Sequence, residues 1–255
     1  MLPLSEGSFT IDKSKLFVPF NTGMDDLQQR PAGSLLVEVQ PFVVVTSEDI
    51  LLLDAGLGFN NEQGVVQIHQ NLMDAGINPS EVTKVLLSHL HKDHAGGISF
   101  VDKSSGNRKM SFPNAKYYFQ KRELDFAFEK GFPSYITEEL ECLKSSPQVR
   151  LLSNDSGVID GYIKYEVTGA HSPFHQVYQI VDGGVTIFFG ADDAPQLQQM
   201  KSRFIAKYDH DGQKSMKLRQ DWWEKGHKEK WTFLFYHDIK TPIYEADRTE
   251  EIDIV

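Results

Sequence analysis

The stretch LLSHLHKDHAGGIS, Leu86 to Ser99, places three histidines and one aspartate within six residues, between an apolar run and two glycines. No other feature restricts the fold as strongly. Burying three imidazoles and a carboxylate without a shared cation is costly, so the chain must close further polar groups around this turn. In extended backbone, residues i and i+2 point the same way, so His89 and His91 can offer their rings to one ion. Asp93 continues the alternation and His94 follows where the chain turns. Gly96 and Gly97 let the backbone turn tightly and start a helix. One segment then serves two adjacent ions, His89 and His91 on one, Asp93 and His94 on the other. Imidazole and carboxylate suit Zn, Mn, Fe, Co or Ni. A catalytic zinc usually takes three protein ligands and keeps a position for water, so each ion still lacks one.

The missing groups stand at strand ends. His171 lies in TGAHSPFH after the strand signal YIKYEV, Asp192 and Asp193 end VTIFFGADDAP, and His237 ends WTFLFYHD. The strand signals form two groups. The first holds SLLVEVQPFVVVT and DILLLDAG, joined by a short SED hairpin, and then TKVLLS. The second holds GYIKYEVTG, HQVYQIVDGG and VTIFFGAD, with DGG as a turn, and a last strand, WTFLFYHD. Helical spacing marks GVVQIHQNLMDAG with Gly76 as a stop, QKRELDFAFEKG ended by Gly131, and ITEELECLKSS with Thr137 as N-cap. It also marks APQLQQMKSRFIAK and QKSMKLRQDWWEKG. Two packed, mixed sheets with helices on both outer faces follow: an α/β fold, in four αββα layers. With no repeat and no linker between composition regimes, residues 1–255 read as one domain.

Charge and cysteine content narrow the partners. A net charge of −10 disfavours phosphate backbones, so nucleic acid is not expected, and the basic DKSSGNRK reads as a solvated loop. One cysteine, Cys142, excludes an internal disulfide and a thiolate metal cluster. That fits a reducing compartment. The first residues carry no signal-peptide pattern and no run is long enough to span a bilayer, so the expected setting is cytoplasmic, without a membrane partner.

The ordered set of these motifs resembles the metallo-β-lactamase-fold hydrolases over roughly the whole chain, and LLLDAG resembles that family's Asp-Thr-Gly strand end, with Asp54 as the matching carboxylate. The resemblance implies that His89, His91 and His171 hold a first metal, and Asp93, His94 and His237 a second. It implies a bridging carboxylate, Asp192 by the Asp-x-x-Pro spacing, with Asp193 as runner-up. His175 matches the second histidine of Thr-x-x-His-x-x-x-His and would fix the loop behind the ligands. Gly169, Ala170 and Phe174 depart from the usual loop and put its shape in question. Two divalent ions, zinc first, would lie about 3.5–4 Å apart and share a hydroxide that attacks a carbonyl or phosphoryl centre. Asp93 would orient that nucleophile. The β-lactamases themselves generally carry Cys near the Asp192 position, and Cys142 lies far from it, which disfavours antibiotic hydrolysis. His91 stands where the flavodiiron members use Glu, which points to hydrolysis.

Among these hydrolases the lactonase-like members are nearest in look, through FPNAKYYFQKRELDFA and LFYHD. The expected reaction is hydrolysis of a small ester-type substrate, first of all a lactone. Organophosphates, other esters and thioesters come next. A mononuclear iron persulfide dioxygenase, bound through two His and one Asp, is the reading from another class, and a catalytically idle metal-binding protein a third. One departure is Pro195, which stands where quorum-quenching lactonases often place a tyrosine against the substrate carbonyl. The loop Val18 to Gly33 is expected to put Phe20 or Met24 on an apolar pocket wall, although a plain surface loop accounts for it equally well. His69, His210 and His227 read as structural or merely exposed, and one of Trp222 and Trp223 as packing a helix onto the sheet while the other stays partly exposed. The acidic tail YEADRTEEIDIV could pair with a second copy in a homodimer, but nothing requires it.

Overall fold

The computed structural model describes residues 1–247. Two six-stranded sheets dominate it. The first runs in the order Leu2–Pro3, Phe42–Val45, Ile50–Leu53, Lys84–Leu86, Lys116–Gln120, Val149–Leu152. Its first two pairings are antiparallel and the rest parallel. The second runs Ser156–Ile159, Ile163–Val167, Gln176–Asp182, Val185–Phe189, Trp231–Leu234, Ile243–Glu245, and only its Val185–Phe189/Trp231–Leu234 pair is parallel. A third, smaller sheet of Val18–Pro19, Gly7–Ile11 and Leu35–Val39 lies at the N-terminal side.

Period-two alternation sorts the apolar residues into layers. Leu52, Val85, Tyr117 and Phe119 face the helices Gln67–Asp74 and Lys121–Lys130, where Ile68, Leu72, Leu124 and Ala127 cover them. Leu51, Leu53, Leu86 and Tyr118 face the other way, onto Tyr178, Ile180, Ile187, Phe189 and Leu234 of the second sheet. Phe188 and Phe233 then look outward to Trp222 and Trp223 of the helix Gly212–Glu229. The result is helix, sheet, sheet, helix: the expected four-layer αββα sandwich with two mixed sheets.

The SED hairpin and the glycine turn form as expected. Asp182 pairs with Val185 across Gly183 and Gly184, which take φ of 57° and 82°, values suited to a residue without Cβ. Three local expectations are corrected. Thr137 is the first helical residue, not the cap; Ile136 precedes it and makes no capping bond, so the Thr137–Leu140 turn begins without one. Helix in APQLQQMKSRFIAK stops at Met200, because the buried Arg219 guanidinium takes the Phe204 carbonyl and draws the next segment into a loop. Both tryptophans are buried, Trp222 tilted against Phe188 and Trp223 against Phe233. The tail beyond Asp247, to which the option of pairing with a second copy is attached, lies outside the described residues.

Candidate metal centre

Strand ends on one edge of the sandwich deliver the polar groups. The Lys84–Leu86 strand runs into Ser88, His89 and His91, and the short helix Lys92–Ala95 then carries Asp93 and His94. This corrects the expected cause. His89 and His91 meet through extended spacing, whereas Asp93 and His94 are aimed by the first helical turn. Gly96 and Gly97 do open a helical turn, Gly96–Ile98, but Gly96 takes an ordinary φ of −59°, so backbone freedom is not what the turn asks of it. They are needed for close approach: a Cβ on Gly96 would lie 2.3 Å from the Leu57 carbonyl oxygen, and one on Gly97 2.0 Å from that of Ala55. The histidine turn is thus pressed backbone to backbone against the Asp54–Gly58 loop.

His89, His91, His171 and Asp192 bring ligand atoms within 4.8 Å of one another, and so do Asp93, His94 and His237. Asp192 joins the two sets. Its Oδ2 lies 3.1 Å from His171 Nε2 and 3.9 Å from His89 Nε2, while its Oδ1 lies 3.0 Å from both His94 Nε2 and His237 Nε2. Asp93 Oδ2 completes the second set at 3.5 Å from His94 Nε2 and 3.6 Å from His237 Nε2. Asp193 does not stand between the sets. Its Oδ1 accepts the His171 backbone N–H at 2.8 Å and its Oδ2 lies 3.0 Å from His175 Nδ1.

The inner ring nitrogens are anchored from behind, which fixes the outer ones. Asp54, fully buried at φ 55°, lies 2.7 Å from His94 Nδ1 and also takes the N–H and hydroxyl of Ser88. His237 Nδ1 donates to the Glu38 carbonyl at 2.6 Å, and His171 Nδ1 faces Asp209 Oδ1 at 2.9 Å. Three anchors had no readable sequence signal. Asp209 sits in the turn-like KYDHDG, which nothing in the spacing joins to His171. Glu123, fully buried in a helix, accepts from the Leu90 N–H, the Tyr135 hydroxyl and the Ser172 hydroxyl, tying both histidine loops together. Tyr236 stacks on His94 at 4.1 Å and donates to the Asp93 carbonyl.

Electrostatics follow burial and the shared carboxylate. Burial holds His89 and His91 well below the usual histidine range, and neighbouring rings add to it. Burial pulls His94, His171 and His237 the same way and is the largest single influence, but Asp192 together with the other carboxylates around each ring (Asp93 and Asp54 at His94, Asp209 and Asp193 at His171, Asp93 at His237) outweighs it, and all three lie above the ordinary value. Burial would raise the Asp192 carboxyl, yet those three rings hold it well below the usual range.

The donor set fits a pair of divalent ions. His89 Nε2 lies 2.8 Å from His91 Nδ1, which lies 3.2 Å from His171 Nε2. Three ring nitrogens converge on one point, the arrangement that a shared cation takes up. His94 Nε2 and Asp192 Oδ1 are buried and meet no polar partner outside the donor sets themselves. Cations in the two sets would satisfy these atoms together.

Above the sets opens a cavity of about 530 Å³, which His91, Asp93, His171, Asp192 and His237 all reach. Its apolar wall comes from Phe17, Leu35, Val37, Phe204 and Ile205, so the expectation for Phe20 and Met24 is corrected. The bonds between Asn21 and Asp25 close a turn that carries Met24 into solvent, 84% exposed, and the Phe20 N–H is taken by Ser8. Tyr208 and Pro195 also line the cavity. His69 bonds the Ser111 carbonyl and His227 the Trp223 carbonyl, while His210 is exposed; none joins the donor sets.

A sequence profile of the metallo-beta-lactamase superfamily matches residues 37–220, and the chain belongs to that superfamily. The N-acyl homoserine lactonase AttM of Azorhizobium caulinodans is 30% identical over 115 residues, a match that spans 41% of this chain and 38% of that protein. A probable metal-dependent hydrolase from Staphylococcus aureus shares the fold with a TM-score of 0.76 at 19% identity, over 98% of this chain and 93% of that one. AidC, a dizinc quorum-quenching lactonase solved with the product N-hexanoyl-L-homoserine, aligns with a TM-score of 0.68 at 19% identity, over 94% and 87%. No helix among the described residues is long and apolar enough to cross a membrane.

Proposed function

We propose that this chain is a metal-dependent hydrolase, acting as one domain in the cytoplasm on a small ester-type substrate, first of all a lactone. The observation that carries this reading is Asp192, whose two oxygens are divided between two histidine sets at the floor of one cavity. His89, His91 and His171 would hold one ion and Asp93, His94 and His237 the other, with Asp192 shared and zinc the first candidate. Two such ions supply Lewis acidity and a nucleophilic water at neutral pH.

The chain's own residues do the rest. Asp192 sets the spacing of the two sets. Asp93, which reaches the cavity, is the carboxylate positioned to orient the attacking water and pass its proton to the leaving oxygen. Burial, and then the charges of Asp192 and Asp209, push the Tyr208 phenol above its ordinary value, so it keeps its proton at neutral pH. It is the phenol available to donate to a substrate carbonyl where Pro195 has no donor. The lactonase names of AttM and AidC favour a lactone over an organophosphate or thioester. The second, complete set around His237 weighs against a mononuclear iron oxygenase, which needs only two His and one Asp. Zinc-loaded protein assayed against lactones, aryl esters, thioesters and phosphotriesters tests the reading. Lactone turnover abolished by chelation supports it; turnover of none overturns it.

A further inference from the structure

The cavity carries a charge opposite to that of the chain. The sequence has 26 Lys and Arg against 36 Asp and Glu. Yet Lys13, Lys15, Lys92 and Lys207 all line the cavity, and outside the two donor sets Asp12 is its only lining carboxylate among the described residues. Elsewhere lysines rest on carboxylates, as Lys84 does on Asp49 and Asp160, and Lys144 on Glu141. Among the described residues none of the four cavity lysines is in such an ion pair.

Two of them are held where they are by neutral groups. Lys15 Nζ donates to Ser134 Oγ at 2.8 Å, and Lys92 Nζ donates to the Lys15 carbonyl at 2.5 Å. Lys92 also lies over the rings of Phe17 and Phe132, at 5.7 and 5.9 Å from their centroids. Hydroxyl, carbonyl and ring positions hold the ammonium groups without neutralising them. Like charges gathered in one concavity repel, and a concavity lined by one sign concentrates ligands of the other. Phe17, Leu35, Val37 and Ile205 give the same cavity an apolar wall.

We propose that the substrate carries a fixed negative charge, separated from the scissile ester bond by an apolar segment, and that Lys15, Lys92 and Lys207 receive that charge. The inference rests on the hydrolase reading above and names its substrate class. A contact remote from the reacting bond strengthens ground and transition state alike, so it acts chiefly through KM.

The test uses zinc-loaded protein and two aryl esters alike except at the far end, the p-nitrophenyl ester of adipic acid with its free carboxylate and the same ester capped as a methyl ester. The expected kcat/KM favours the anionic ester by about tenfold at about 20 mM salt, and less at about 500 mM. In the double variant Lys15→Gln, Lys207→Gln the ratio falls towards one through KM. Equal kcat/KM for both esters in the parent protein overturns the inference and leaves the hydrolase standing. Where neither ester is hydrolysed, the anion site is decided by the binding measurement below, and the hydrolase reading by the wider panel of lactones, thioesters and phosphotriesters. Calorimetry with octanesulfonate against neutral octane-1,2-diol then reads the lysines directly. Tighter sulfonate binding that the double variant loses supports the anion site, and equal binding overturns it.

Discussion

The Asp54 carboxylate lies 2.7 Å from His94 Nδ1, and the same group takes both the N–H and the hydroxyl of Ser88. Asp54 follows the Ile50–Leu53 strand and Ser88 follows its parallel neighbour Lys84–Leu86, so two strand ends lock the ring before any ion arrives. Asp54→Asn keeps the shape but replaces one acceptor oxygen with a donor. The second ion should bind about 10–100-fold more weakly, with the first affected less. Competition against a zinc chelator reads both affinities, and an equal loss at the two would count against this role.

Asp192 and Asp193 are adjacent but do different work. Asp192→Ala removes the carboxylate shared by both sets, so turnover should fall by roughly 10²–10⁴-fold and bound metal by about one ion per chain. Asp193→Ala should keep both ions. It strips His175 and the His171 N–H of their partner, at about 1–3 kcal/mol of stability. Metal analysis beside urea denaturation separates the two, and loss of metal in Asp193→Ala alone would reverse the assignment.

Tyr208 reaches the cavity with its phenol proton retained. Tyr208→Phe should lower kcat on a lactone by about 10²-fold while KM and metal content stay close to the parent values. A variant with unchanged kcat has no use for that donor.

Glu6 contributes one separable part of the expected pH dependence. Burial pushes its carboxyl from 4.5 up to about 8, despite the Leu57 N–H on Oε2, and Asp93 adds to the rise. Its Oε1 is buried without a partner. The folded state therefore holds a proton that the unfolded chain releases above 4.5. The stability it contributes is complete at low pH and is lost as pH rises through the folded value. In metal-free protein the urea midpoint should decline between about pH 5 and about pH 8, and Glu6→Gln should flatten that decline. Equal slopes in parent and variant would place the titration elsewhere.

The sandwich was legible because its strands alternate or run apolar over their whole length, and because each ends in a residue too polar to bury alone. His89, His91, His171, Asp192 and His237 could be named for that reason, and the structure brings them together, all but the fully buried His89 on one cavity floor. What stayed hidden depends on contacts between distant segments. Asp209 and Glu123 meet their histidine loops only once the chain is folded, and no local pattern marks them. Phe20 and Met24 failed because turn hydrogen bonds, not hydrophobicity, decide which way the Val18 to Gly33 segment faces. The glycine pair was seen, but its reason was not. Gly97→Ala would drive a Cβ to 2.0 Å from the Ala55 carbonyl. It should cost about 2–3 kcal/mol in urea denaturation, and a neutral effect would mean that the two loops slide apart freely.

Metal stoichiometry measured together with lactone turnover tests the central claim most directly. Protein stripped with chelator and titrated with zinc should regain lactone hydrolysis as occupancy approaches two ions per chain, with Asp192→Ala unable to follow. One tight iron with no second site, or lactone hydrolysis that persists in fully stripped protein, would contradict it.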